Sequence, residues 1–296
     1  MFDFRYHVAS LAAVFLALII GIVVGVGISG KGFVSDSERR VLNLQIDDLR
    51  NRLDSANRSR NELARAQRAA QTFVSDAYPA LMAGRMQALR IGLVFAGHED
   101  GRLRGLVEQA LDDAGGDPPV RTEALKLPID LRTLRRALVK RPALAALATP
   151  RLVGELGRRL GEAFVLGNSL LWQLLAPTLV EERSGNDKPT VDGVVIARTA
   201  QPQKGSTARF LAGFYAGLAS AGVPAVGVER TDSLPSAVAA FAKHDLATVD
   251  DLDTEAGRLA LVLVLGGASS GQYGVKKSAD DGVLPDIPPA AAAGSG

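Results

Sequence analysis

The sequence predicts an N-terminal transmembrane helix and a coiled-coil helix, followed by a mostly parallel, Rossmann-like α/β domain with a helical insertion. Three observations carry this. The run VASLAAVFLALIIGIVVGVGI, Val8 to Ile28, holds one hydroxyl, Ser10, and no charge. A charged stretch with apolar residues spaced about 3.5 apart comes next. Beyond Met86, short apolar runs ending in glycine alternate with amphipathic stretches, the pattern of strands and covering helices.

Residues 1–7 read as a short tail and residues 8–28 as the span. A hydrocarbon core of about 30 Å needs roughly 20 helical residues, which this run supplies. A secretory signal has a shorter apolar core, although Gly27-Ile28-Ser29 leaves a small-x-small cleavage site as the competing reading. Gly21, Gly25 and Ser29 fall four apart on one helix face, a spacing that lets two membrane helices approach closely.

After the spacer ISGKGFVSDS, residues 37–77 carry a heptad seam: Leu42, Ile46, Leu49, Leu53, Ala56, Arg60, Leu63, Gln67, Ala70 and Val74, eight of the ten apolar. Asp36 or Ser37 is placed to cap its start. Such a helix would extend about 50 Å and make the chain a homodimer, with Arg60 and Gln67 fixing register. The alternative is a long helix packed against its own domain.

Residues 86–285 form the α/β domain. RIGLVFAG is a strand, and GRLRGLVEQALDDAGG is the helix after it, stopped by Gly115 and Gly116. A helical insertion runs from Leu131 to about Val180. Its last segment, AFVLGNSLLWQLLAPTLV, is a buried core helix around Trp172, because Asn168, Ser169, Gln173 and Pro177 argue against a second span. VDGVVIAR, STARFLAGFYAGLASAG and AVGVER supply strand, helix and strand. SLPSAVAAFAKH is helical, LATVDD a short edge strand, and RLALVLVLGG, Arg258 to Gly267, a strand buried in a parallel sheet. Residues 286–296 form a flexible tail.

Composition narrows the function. Lys plus Arg number 34 against 32 Asp plus Glu, which gives no support to nucleic acid as a partner. The charge is arranged locally: ten bases against three acids from Val120 to Leu160, and ten acids against five bases from Glu229 onward. That asymmetry suggests complementary faces, within the domain or between partners. The absence of cysteine removes disulfides, thiolate metal sites and a cysteine nucleophile.

No motif for catalysis emerges, so the chain is not expected to be an enzyme. AGHEDG is not a dinucleotide fingerprint, and GGASSGQYG lacks the lysine of a phosphate loop. The candidate ligand loop combines His98, with Glu99 and Asp100, and Gly266 and Gly267, on the expectation that both segments follow strands. The three histidines share no zinc spacing. Met82, Met86 and His98 are the weak candidates for a metal, since thioethers favour Cu(I); filling a core is the competing role of the methionines.

The start MFDFRYHVASLAAVFLALIIGIVVGVGI, the coiled-coil segment, GRLALVLVLGG and QYGVKKSADDGVLPD together resemble the MctB family, the mycobacterial copper transport protein B family, which includes the actinobacterial SteB-like cell-separation proteins. The resemblance implies a membrane protein of the cell envelope with its large domain outside the cytoplasm, serving copper efflux and homeostasis and described as a pore-former of the outer membrane. It implies no required cofactor, with copper ion as the metal handled. Some relatives look instead like coiled-coil scaffolds that control cell separation or division through an envelope partner. The resemblance supplies no established metal-ligand motif, and the family's Gly-His-Tyr-Gly is here Gly271-Gln272-Tyr273-Gly274, one candidate ligand fewer. An outer-membrane barrel needs at least about eight alternating strands, and this chain shows fewer.

Overall fold

A computed structural model describes residues 4–29, 36–167, 169–186 and 188–287. The start of the tail (1–3), the centre of the spacer (30–35), Asn168, Asp187 and the tail from 288 onward lie outside the described residues. The chain divides into two compact units, Met1–Ala70 and Gln71–Gly296.

The first unit holds helix α1, Phe4–Ser29, and most of helix α2, Asp36–Met82. Within α1, Tyr6–Gly27 is long and apolar enough to cross a membrane, the one such helix among the described residues. Gly21 and Gly25 face open space. On α2 the seam residues Leu42, Ile46, Leu49, Leu53 and Leu63 are all solvent-exposed, Leu63 by 71%.

The second unit begins with the last turns of α2 and contains the sheet. Strands β1 (Ile91–Ala96), β2 (Arg121–Leu125), β3 (Val180–Gly185), β4 (Gly193–Arg198), β5 (Ala225–Val228), β6 (Ala247–Val249) and β7 (Gln272–Tyr273) lie in the order β3-β2-β1-β4-β5-β6-β7. All pairings are parallel except β2 with β3. The helices are α3 (Gly101–Asp113), α4 (Leu131–Ala137), α5 (Pro142–Ala145), α6 (Val153–Leu166), α7 (Leu170–Leu179), α8 (Gly205–Ala219), α9 (Val238–Ala242) and α10 (Glu255–Leu265).

Every residue of β1 is buried because both faces are covered. Ile91, Leu93 and Phe95 pack with Met82, α3 and α10, whereas Val94 and Ala96 pack with α4, α6, α7, α8 and α9. The second layer depends on how closely α6 and α8 approach. Methyl groups built at Gly157 and Gly161 collide with the carbonyls of Phe210 and Phe214, and those built at Gly213 and Gly217 collide with the carbonyls of Gly154 and Arg158. The glycines are four apart on both helices, so backbone meets backbone from each side. Phe164, Phe210 and Phe214 fill the space beside this crossing, and Trp172 meets Phe164 edge-on at 5.5 Å.

Three expectations are corrected. RLALVLVLGG is helical, not a strand. Thr254 caps α10 by accepting from Gly257 N at 2.9 Å, and every residue from Gly257 to Leu265 is buried. An all-apolar run shows no period to separate buried strand from buried helix, and here the cap decides. LATVDD is not at the edge, because β7 pairs with β6 beyond it. The helix expected over SLPSAVAAFAKH shrinks to the five residues of α9. The insertion is helical up to Leu179 with Trp172 only 3% exposed, but Val180 opens strand β3.

Gly157→Ala and Gly213→Ala are expected each to destabilise the protein by about 2–3 kcal/mol through overpacking, against the gain in helix propensity that alanine brings. Gly105→Ala in α3, where a methyl meets nothing within 4 Å, should stabilise by about 0.5–1 kcal/mol. Urea denaturation followed by the fluorescence of Trp172, the single tryptophan, checks both signs.

Candidate functional site

In an open parallel sheet, ligands bind outside the carboxyl ends of the strands, at the point where the chain's connections reverse direction. Here that point lies between β1 and β4, since β1 leads to β2 on one side and β4 leads to β5 on the other. His98, Glu99 and Asp100 stand there, immediately after β1. Asp100 caps α3, accepting from Arg102 N at 2.9 Å and Leu103 N at 3.1 Å. Glu99 pairs with Arg104 at 2.8 Å, and His98 is exposed.

The crevice itself is filled by the chain. Thr199 Oγ1 donates to the carbonyl of His98 at 2.6 Å, and the amides of Thr199 and Ala200 both donate to Ala96 O. Gly97 has φ +124°, and a methyl there would meet Ala200 N at 2.6 Å, so only glycine lets the two loops close.

Gly266 and Gly267 do not join His98. They follow helix α10, and Gly267 lies beside Ala225 and Ala247, the first residues of β5 and β6, at the amino ends of the strands. The ligand loop expected from the sequence is thus divided between the two ends, a direct result of α10 being a helix. Met82 and Met86 are 0% and 1% exposed, with the Met86 side chain against Gly116 and Gly266. Their thioethers sit in the core. Among the described residues no three His, Cys, Asp or Glu side chains are grouped to hold a metal ion.

A polar cluster that sequence reasoning missed occupies the carboxyl ends of β5, β6 and β7. Glu229, Asp250 and Asp251 are buried; Glu229 directly follows β5, and Asp250 and then Asp251 follow β6. The Lys276 ammonium donates to Glu229 and to Arg230 O at 2.9 Å. Glu229 also accepts from Ser236 Oγ at 2.7 Å and Ala237 N at 2.6 Å. Asp250 Oδ1 accepts from Val275 N at 2.8 Å and Lys276 N at 3.2 Å. Gly274, at φ +135°, presses on Asp250 where no Cβ fits.

The cluster is a clasp that binds the QYGVKK segment to the sheet. Its legible signal was a carboxylate placed straight after each of two apolar runs, AVGV and ATV. Asp251 is the exception to its satisfaction: Oδ2 accepts from Thr254 Oγ1 at 2.9 Å, whereas buried Oδ1 has no hydrogen-bond partner. Burial, with Asp250 and Asp253 nearby, pushes its carboxyl above the usual range.

A second buried pair lies under the insertion. Arg121, 1% exposed, sits 4.0 Å from the centre of the Phe164 ring and donates to Glu123 Oε1 at 3.2 Å. Trp172 Nε1 donates to the same carboxylate oxygen at 3.3 Å.

These features define a class: an α/β protein with an N-terminal helix long and apolar enough to cross a membrane, and a doubly wound sheet whose loops hydrogen-bond across the switch point. The chain belongs to the MctB family: the family model described as "Copper transport outer membrane protein, MctB" matches residues 1–284. It is 27% identical to proteins named "Copper transporter MctB" from Mycobacterium bovis and Mycobacterium tuberculosis, over 93% of this chain and 96% of theirs.

Asp251 holds its proton more tightly when folded than when unfolded. Stability is therefore favoured at low pH by this group and falls as pH rises from 3.8 upward through its raised folded value. Asp251→Asn is expected to remove that fall, seen as a denaturation midpoint that gains on the native chain as pH is raised from 4 to 7; an unchanged difference would contradict it.

Proposed function

We propose that this chain serves copper homeostasis as a single-pass membrane protein of the cell envelope, in which the α/β domain, acting through a protein partner, carries the activity without catalysing a reaction. The observation that carries this is the chemistry of the span. A conducting path needs polar groups along its wall, and Val8–Ile28 offers only Ser10 besides backbone. The sheet supports the same reading, because it is open at β3 and β7 and covered on both faces, unlike a barrel wall with one face to lipid.

Soft donors for Cu(I) point the same way. Cysteine is absent, and the methionines of the described residues are buried in the core. The exposed leucines of α2 support a homodimer paired along the heptad seam, and the family likeness alone supports a large domain outside the cytoplasm.

The test replaces residues 8–28 with an unrelated single span of equal length in a copper-sensitive deletion strain. Restored copper tolerance is expected. Loss of tolerance by a chain that is still made and membrane-bound would assign the activity to the span. Leu49→Asp with Leu53→Asp, in the same strain, is expected to abolish both crosslinked dimer and tolerance.

A further inference from the structure

From Lys126 to Arg151 the chain carries Lys126, Arg132, Arg135, Arg136, Lys140, Arg141 and Arg151 against a single acid, Asp130. All seven cations are exposed, and none has an ion-pair partner among the described residues. Asp130 caps α4, accepting from Arg132 N at 2.9 Å and Thr133 Oγ1 at 2.7 Å, and of the seven cations its charge acts on Arg132. Several arginines elsewhere in the domain are paired instead. Arg90 is matched by Asp192 at 2.9 Å, Arg104 by Glu108 at 2.7 Å, and Arg158 and Arg159 by Glu155 at 2.8 Å each.

Three of the seven cations line a groove of about 580 Å³ between α4 and the α5–α6 connection. Arg132, Arg135 and Arg136 line it together with Leu131, Val139, Ala148 and Pro150. Val139 is 69% exposed, an apolar side chain held in water between charged neighbours. Repulsion among like charges this close costs stability unless an anionic partner relieves it.

We propose that this groove docks an acidic, amphipathic segment of a partner protein, with carboxylates on the arginine rim and apolar side chains against Leu131, Val139 and Pro150. Concavity selects a peptide over a bilayer: a flat lipid surface meets protruding apolar residues, whereas apolar residues lining a groove need an inserted chain. The proposal deepens the reading that the domain acts through a partner, and names the chemistry that partner presents.

The test uses the full chain in neutral-lipid nanodiscs and a synthetic helical peptide with glutamates on one face and leucines on the other. Binding is expected to weaken with salt, and to fall by about tenfold or more in the Arg132→Gln, Arg135→Gln, Arg136→Gln variant and in Val139→Asp. Equal binding by either variant, by a glutamine version of the peptide or by polyglutamate without leucines would overturn the groove. Arginine-dependent binding of phosphatidylglycerol vesicles in place of the peptide would overturn it in favour of a membrane surface. The readout contains no copper, so its failure is separable from failure of the span-replacement experiment.

Discussion

The backbone contact between α6 and α8 is the constraint on which one layer of the domain depends. Gly157 and Gly161 on one helix and Gly213 and Gly217 on the other leave no room for side chains, so the helices pack by their main chains. That approach aligns Phe164, Phe210 and Phe214 over Val94, Ala96, Val194 and Ile196, which closes this face of the sheet. It also brings Phe164 onto Arg121, so the buried Arg121–Glu123 pair has an aromatic lid and a carbonyl partner, Phe164 O at 3.0 Å. Charges buried without such neighbours would cost several kcal/mol, on the order of 3–5 when one partner is lost.

The bilayer imposes the complementary constraint on the first unit. Hydrocarbon offers no hydrogen bonds, so a lone span must satisfy its backbone by helix formation and present apolar side chains outward. Tyr6–Gly27 meets that requirement, and past Tyr6 and His7 at its start Ser10 is its one polar side chain. The α/β unit therefore holds the available chemistry: the clasp of Glu229, Asp250 and Lys276, the closed crevice at Gly97 and Thr199, and the uncompensated cations around α4. The clasp also gives the QYGVKK segment a structural role, since its amides and ammonium donate to carboxylates at the carboxyl ends of β5 and β6.

Much of the fold was legible because periodicity is a local signal. β1, β4, β5, α3 and α8 read directly from apolar runs and glycine stops, and the buried position of Trp172 followed from the polar interruptions around it. Strands β2, β3 and β7 were not legible. RTEAL and VEERSG are charged, and they form strands because Glu123 and Arg183 face each other across the antiparallel pair, an interaction of residues sixty apart in sequence. β7 has two residues, held by hydrogen bonds from Gln272 N to the Asp281 carboxylate and, just beyond the strand, from Val275 N to the Asp250 carboxylate rather than by any local preference. The site was misplaced for one reason, the reading of α10 as a strand, which carried Gly266 and Gly267 to the wrong end of the sheet. The small-residue spacing noticed in the span recurred in α6 and α8, where its effect on packing is seen directly.

The central claim, that this chain contributes to copper handling without being the conduit, is tested most directly by reconstituting the purified full-length protein alone into sealed liposomes and measuring Cu(I) entry with an enclosed chelating dye. Entry no faster than into protein-free liposomes is expected. Saturable Cu(I) entry that scales with the amount of this protein would contradict the claim and place a conducting path within the chain itself.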